Sequence, residues 1–415
     1  ARAGGGDRDV SEQLIAAPGF PVLITDVDDW LADQALGDPD ISTIIENCCE
    51  RLSAVGIPLW RAHVTTTTLH PLFQATGGTW KRGEKFQLEW YAFQTDGETN
   101  ALWQESPLRY VMERRIPFLR RRLTGDEALL DFPVLEEFRD AGATDWLAYL
   151  VPFDHSAEAG MIGTWATDRP NGFSDAQIAA LMHVQRPLSV AIKMAMTQQI
   201  ADNVANTYLG PVAGRRVLSG QIRRGDGDTI PAVIWYSDMR GSTAMAEALG
   251  REAYTAILNC YFECTGGAVI DAGGEILDFI GDAILAIFPV EKRGMTRARA
   301  ARRALKAARD ADKRLARTNR ARVKEGLPAL SYGLALHTGD VMFGNIGTPE
   351  RLTFSVIGSS VNEVARLQDL TKDLGRPVVA SRAFADAAPG DWTDLGEHPL
   401  RGVARPLHVF APAEG

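Results

Sequence analysis

The stretch Pro231-Ala232-Val233-Ile234-Trp235-Tyr236-Ser237-Asp238-Met239-Arg240-Gly241-Ser242-Thr243 decides how the chain is read. Ala232–Ser237 is a run of apolar and strand-favouring residues, the pattern of a buried β-strand. Asp238 stands at its end, and Gly241-Ser242-Thr243 turns from it into a helix. A carboxylate at a strand end, beside the free N–H groups of a helix start, suits a metal ion and phosphates together. Taken alone, the same pattern describes an ordinary helix cap equally well.

Toward the C-terminus the sequence gives a helix over Glu252–Ile270, a hairpin over Glu275–Phe288 and a long Arg/Ala-rich helix near Thr296–Val323. Strands at Ser331–His337, Val341–Asn345 and Leu352–Val356 follow, then a helix from about Ser360 to Thr371 and short terminal strands. This order predicts an α/β (α+β) sandwich whose mixed, mostly antiparallel sheet is covered by helices. In Asp278-Phe279-Ile280-Gly281-Asp282-Ala283-Ile284-Leu285, two apolar strands meet at a Gly-Asp turn. Because both flanks are apolar, the tip is expected beside the buried strand of Asp238, where two carboxylates can hold two divalent cations. Farther on, Ser355-Val356-Ile357-Gly358-Ser359-Ser360-Val361-Asn362-Glu363-Val364-Ala365-Arg366 sets Asn362 and Arg366 four apart on a helix. They share one face and can approach the same ligand.

Toward the N-terminus, Ile41–Leu52 has helical apolar spacing, while Trp60–Val64 and Phe86–Phe93 alternate like strands. An amphipathic stretch spans Leu108–Leu119, and Trp146–Phe153 and Gly160–Ala166 read as two more strands. Asn171-Gly172-Phe173-Ser174-Asp175 then places Ser174 as the N-cap of a helix running through Ile178, Leu181, Val184 and Leu188. Thr197–Leu218 stays helical and polar until Gly220 and Arg224–Asp228 break it. The expected organisation is an extension over 1–39, an α+β domain over 40–196, a helical connector over 197–230 and the second domain over 231–415.

At 415 residues the chain exceeds one ordinary core of roughly 100–200 residues, and its 45% apolar and 23% charged content is that of a globular protein. A net charge of −9 gives no basic footprint for nucleic acid or an anionic membrane. Cys48, Cys49, Cys260 and Cys264 lack the spacing of a zinc site or a disulfide framework, which fits a reducing compartment. No run reaches the roughly 18–20 apolar residues of a membrane span, and Ala1–Gly6 lacks a signal-peptide core, so a cytoplasmic protein is expected. The basic stretch Arg297–Arg322 alternates with Ala and Asp and reads as a solvated helix face. Trp60, Trp90, Tyr91 and Trp103 are expected in a buried core.

In their order and spacing the three motifs resemble the class III adenylyl/guanylyl cyclases, over about Pro231–Phe410. Asp238 and Asp282 lie 44 residues apart, as the family's pattern requires. Leu336-His337-Thr338-Gly339-Asp340-Val341 and Gly344-Asn345-Ile346-Gly347 are similar to its strand–turn–strand signature. The resemblance implies two divalent cations, Mg²⁺ or Mn²⁺, held by Asp238, Met239 and Asp282. It also implies that Asn362 orients the ribose, that Arg366 stabilises charge on the α-phosphoryl group, and that Gly241, Ser242 and Thr243 meet the nucleoside triphosphate. In the family each site draws on two subunits, which implies a homodimer. The run from strand through Gly172-Phe173-Ser174-Asp175-Ala176-Gln177 into a long helix is similar to the end of a GAF-type sensor domain, implying a small-molecule ligand for the N-terminal domain.

Several positions depart from the family. Members that use ATP commonly carry Lys three residues before the hairpin glycine, and members that use GTP carry Glu; Asp278 stands there. Its partner position, Asp, Thr or Cys in the family, is Ser355. Asp278 accepts hydrogen bonds and Ser355 donates or accepts, so adenine, guanine and a cytosine amine each find complementary groups and the choice stays open. Likeness of Ser355 to Thr and the sensor-plus-cyclase layout favour ATP. Ser242 replaces a usual Phe, and Arg401 or Arg405 stands in for the lysine that holds the terminal phosphates. The Gly-Gly-Asp/Glu-Glu-Phe tip of a diguanylate cyclase is absent from the sequence.

Overall fold

The computed structural model describes residues 20–38, 40–93, 101–153, 160–290, 296–403 and 405–413, so Ala1–Gly6 lies outside the described residues. The chain divides into two compact units, residues 1–204 and 205–415.

Among the described residues, the first unit begins with α1 (Phe20–Leu36) and α2 (Ile41–Ala54). Its strands are β1 (Arg61–Thr67), β2 (Phe73–Lys81), β3 (Gln87–Ala92), β4 (Phe118–Arg122), β5 (Asp145–Pro152) and β6 (Gly160–Thr167). They form one antiparallel sheet in the order β3-β2-β1-β6-β5-β4. Ile24, Val27 and Leu31 of α1 are buried in the same cluster as Ile44, Leu52, Trp165 and Leu188, so the described helix of the segment read as an extension packs into this core.

Strand β2 escaped the sequence reading because Gly77-Gly78 breaks its pattern, and glycine inside a strand marks a close approach. A Cβ at Gly77 would lie 2.3 Å from the Val64 carbonyl oxygen, and one at Gly78 would lie 2.1 Å from the Phe86 ring. Strand β4, which starts at the end of the stretch read as amphipathic and runs beyond it, carries Arg120. Its guanidinium reaches the fully buried Asp145 at 2.7 Å, and Asp145 also accepts the Phe173 N–H at 3.0 Å.

That contact sets the start of α3 (Asp175–Leu209). Ser174 and Gln177 close a reciprocal capping box: the Gln177 N–H donates to Ser174 Oγ at 3.3 Å, and the Ser174 N–H donates to Gln177 Oε1 at 2.9 Å. The helix runs on to Gly210, whose φ of 82° and following proline end it ahead of the break expected at Gly220. Of the aromatic residues expected in the core, Trp60 packs partly buried against a core cluster, and the others lie nearer the surface. Trp90 is 37% and Trp103 36% exposed, while Trp60 and Tyr91 are half-buried. Trp90 and Tyr91 lie on β3, an edge strand, and Trp90 packs against Phe73 at 5.2 Å between ring centres.

The second unit begins with α4 (Pro211–Leu218), β7 (Gly227–Met239), α5 (Ser242–Ala248), α6 (Arg251–Asp271), β8 (Glu275–Ile280), β9 (Ala283–Pro289) and α7 (Arg297–Lys324). It continues with β10 (Tyr332–Thr348), β11 (Arg351–Ile357), α8 (Ser359–Asp373), β12 (Val378–Ser381), β13 (Trp392–His398) and β14 (Leu407–Pro412). The sheet order is β13-β14-β12-β10-β7-β9-β8, with β11 on the far half of β10. Every pairing is antiparallel except β10 with β12.

One sheet face buries Val233, Trp235, Ile284 and Ala286 against α6 and α7. Small residues at Ala300, Ala304, Ala307 and Ala311 bring α7 close, while Arg302, Lys306, Arg309 and Lys313 point to solvent, the solvated face expected of this helix. The other face buries Ala232, Ile234 and Leu285 with Val364 and Leu367 of α8 and Ala213 of α4. The two strands read around Gly339 are one 17-residue strand, β10. A Cβ at Gly339 would lie 2.1 Å from Ser360 Oγ, so the glycine lets α8 sit down on the sheet rather than turning the chain.

Candidate active site

Asp238 pairs with Ala283 of β9 on one side and with Gly333 of β10 on the other, so the sheet centre fixes its main chain. Asp282 sits in the β8–β9 turn, where Gly281 adopts a φ of 65°. That left-handed turn favours glycine. The Met239 N–H donates to the Asp282 carbonyl oxygen at 3.4 Å and docks the hairpin tip on the end of β7.

Burial first, then the Asp282 carboxyl, push the Asp238 pKa up to about 7, while Lys372 opposes them. Asp282 Oδ2 is buried with no hydrogen-bond partner. Two crowded carboxylates and an orphaned oxygen form a hard-oxygen donor set that a divalent cation fits. Among the described residues no group of three or more His, Cys, Asp or Glu gathers as a metal centre, so further ligands would come from main chain, water or substrate. Met239 buries its side chain in the core, leaving its main chain at the pair. Gly241, with a φ of 75°, opens α5, and Ser242 and Thr243 form its uncapped first turn.

Asn362 and Arg366 are exposed on α8. Arg366 pairs with Asp369 at 3.4 Å, and among the described residues neither Asn362 nor Arg366 bonds to Asp238 or Asp282. His337 supports the start of this helix. Burial pushes its pKa down to about 4, so the ring is neutral. Nε2 lies 3.3 Å from a Glu363 carboxylate oxygen and Nδ1 lies 2.8 Å from Ser381 Oγ. A neutral ring facing a carboxylate keeps its proton on Nε2 and accepts the Ser381 hydroxyl at Nδ1. Glu363, the neighbour of Asn362, is thereby held.

Asp278 is exposed on β8, and Ser355 is half-buried on β11, a strand that approaches β8. A β-bulge at Leu277 separates the pairs Ile276 with Ala286 and Asp278 with Leu285. Without this extra residue, strict alternation would turn Asp278 toward α6 and α7. With it, Asp278 shares a face with Leu285, Tyr236 and Asp238. Arg401 and Arg405 are exposed between β13 and β14, and among the described residues neither bonds to the site. The sequence reading missed the bulge and the His337–Glu363 support. Only the motif around His337 could have signalled the latter.

No family model matches the chain. It is similar to an adenylate cyclase of Anabaena cylindrica, 34% identical over 174 residues, which cover 41% of this chain and 33% of that protein. It is similar also to adenylate cyclase 1 of Rhizobium meliloti (strain 1021), 31% identical over 177 residues, 42% of this chain and 26% of that protein. The chain thus spans a third or less of the length of these relatives. Among solved structures it resembles the adenylyl cyclase CyaB from P. aeruginosa, with 22% identity and a TM-score of 0.42 over 46% of this chain and 97% of that one. With the motifs of the second unit set beside the two curated relatives, this chain carries a class III adenylyl/guanylyl cyclase domain.

Proposed function

We propose that the chain converts a nucleoside triphosphate, preferentially ATP, into its 3′,5′-cyclic monophosphate and pyrophosphate, at sites completed by two copies of the chain. The ribose 3′-oxygen bonds to the α-phosphorus and loses its proton, and the bond from the α-phosphorus to the β-bridging oxygen breaks. The observation that carries this reading is the crowded Asp238–Asp282 pair with its orphaned oxygen. Asp238 and Asp282 would hold the divalent cations. Bound there, such ions supply Lewis acidity to the hydroxyl and the phosphate oxygens. Asn362 orients the ribose. Arg366, half-exposed and loosely paired, donates to phosphoryl oxygens that gain charge in the transition state.

The assay is turnover of purified protein with each of the four nucleoside triphosphates and Mg²⁺ or Mn²⁺, with products identified by mass. A cyclic mononucleotide is expected; none under any condition rejects the reading. We assign the first unit a GAF-like sensory role, on its strand pair, capping box and long α3. The same assay on a chain lacking residues 1–196 tests this, since unchanged turnover and effector response would reject it.

Asp278 and Ser355 read the base. Asp278→Lys exchanges an acceptor for a donor, and one mismatched buried hydrogen bond costs about 1–3 kcal/mol. The ratio of kcat/KM for ATP to that for GTP is expected to shift by about tenfold or more. An unchanged ratio would remove Asp278 from base recognition.

A further inference from the structure

We propose that Arg240 is a positioning residue: it ties the end of the Asp238 strand to the C-terminal turn of α8 and so fixes where Asn362 and Arg366 stand. The inference rests on the cyclase reading for its kinetic consequence and on geometry alone for the tie itself.

Arg240 follows Asp238 by two residues, and its main-chain N–H donates to the Ser331 carbonyl oxygen at 2.8 Å. Its guanidinium faces main-chain carbonyls. Nη2 donates to Thr371 O at 3.0 Å and to Arg376 O at 3.4 Å, and Nε donates to Tyr332 O at 3.4 Å. Three carbonyls around one side chain suit the guanidinium fork, which a lysine ammonium does not reproduce. Engaged in this way, the guanidinium is not presented to a nucleotide phosphate.

The carbonyl it meets is a defined point of α8. Gly375, with a φ of 62°, closes the helix: its N–H donates to Lys372 O at 3.2 Å, and the Arg376 N–H donates to Thr371 O at 3.2 Å. These two bonds make a Schellman turn. Thr371 O therefore accepts both the turn-closing bond and Arg240, and a cation lies at the negative end of the helix, where the dipole favours it.

The other supports of α8 come from elsewhere in the sheet. Gln368 Nε2 donates to Gly333 O at 3.3 Å, and His337 holds Glu363. Arg240 adds the tie to the end of β7. From Thr371, Arg366 lies roughly 7 Å and Asn362 roughly 14 Å along the helix axis, so a tilt at the released end displaces both. Misplacement of reacting groups by about 1 Å can cost on the order of 100-fold in rate.

The experiment compares the full-length chain with its Arg240→Met and Arg240→Lys variants by hydrogen exchange and steady-state kinetics. In Arg240→Met, amides of Arg366–Arg376 should exchange about tenfold faster or more, while the rest of the second unit keeps its protection. Turnover should fall about 10- to 100-fold, with KM for the nucleotide and the half-maximal Mn²⁺ concentration within about threefold of wild type. Arg240→Lys should recover part of both losses. Unchanged exchange with turnover within about twofold overturns the proposal. Exchange rising uniformly through residues 205–415 overturns it too, as does a parallel rise in the Mn²⁺ requirement, which would place the role at the carboxylate pair. If the wild-type chain makes no cyclic nucleotide, the functional reading fails, while the exchange pattern still confirms or rejects the tie.

Discussion

Asp238→Asn is expected to lower turnover by about 1,000-fold or more and, in the same protein without divalent cations, to raise thermal stability at pH 8. The first effect follows from removing one of the two carboxylates that would hold the cations, because Lewis-acid stabilisation supplies several kcal/mol of barrier lowering and each 1.36 kcal/mol is a factor of about ten. The second follows from the titration of the pair. In the unfolded chain Asp238 titrates near 3.8; in the folded chain, crowded by burial and by Asp282, it titrates at about 7. Between these values the folded protein holds a proton that the unfolded chain has lost. Stability therefore falls as pH rises from about 4 to about 7 and stays low above that. An amide has no charge to confine there. An unscreened shift of this size would correspond to about 4 kcal/mol, but Asp238 is only half-buried, and screening by solvent brings the expected gain to about 1 kcal/mol. For a unit of this size that is roughly 2–4 °C in Tm at pH 8, shrinking by pH 5. Mg²⁺ or Mn²⁺ should stabilise the wild type and leave the variant unmoved. Retained turnover, or a Tm difference independent of pH, would remove Asp238 from the cation site.

This trade between stability and chemistry is visible in how the site was legible from sequence. Strong apolar runs at Ala232–Tyr236 and Ala283–Phe288 gave the central strands, because a strand buried on both faces leaves little freedom in its composition. The carboxylates stood out against that background. What periodicity could not supply were the local exceptions. The bulge at Leu277 changes the face of Asp278 without any glycine or proline to announce it. Gly339 reads as a turn, yet its role is to admit Ser360. Gly77-Gly78 reads as a break for the same reason, close approach being indistinguishable from flexibility in a sequence. Arg240 stood inside the quoted motif, but its partners are main-chain carbonyls of Tyr332, Thr371 and Arg376, more than ninety residues away, and carbonyls leave no trace in side-chain pattern. Trp90 fell outside the core because strand position, edge or centre, is a property of topology.

Chains carrying Asp238→Ala and chains carrying Arg366→Ala, each inactive alone, are expected to recover activity when co-expressed. The second unit holds its carboxylate pair at the end of β7 and in the β8–β9 turn and its Asn362/Arg366 face on α8, yet among the described residues no bond joins the two groups. Arg366 spends its charge on Asp369, one turn away and largely exposed. A site completed by a second copy, as proposed, would resolve this, with the pair from one chain facing the helix of the other. In a closed two-fold dimer both sites are then equivalent. Random pairing of the two variants makes about half of the dimers mixed. Each mixed dimer has one site with both defects and one with neither, so recovery should approach about a quarter of wild-type turnover per chain. Arg366→Ala alone should cost about 100- to 1,000-fold, the usual effect of deleting a donor to developing oxyanion charge, so the recovered signal stands far above either background. Inactivity of the mixture, with mixed dimers demonstrated by two affinity tags, would mean that each chain builds its site alone. The Arg240 tie would then join two parts of one site rather than halves of two, and its loss would act within that chain.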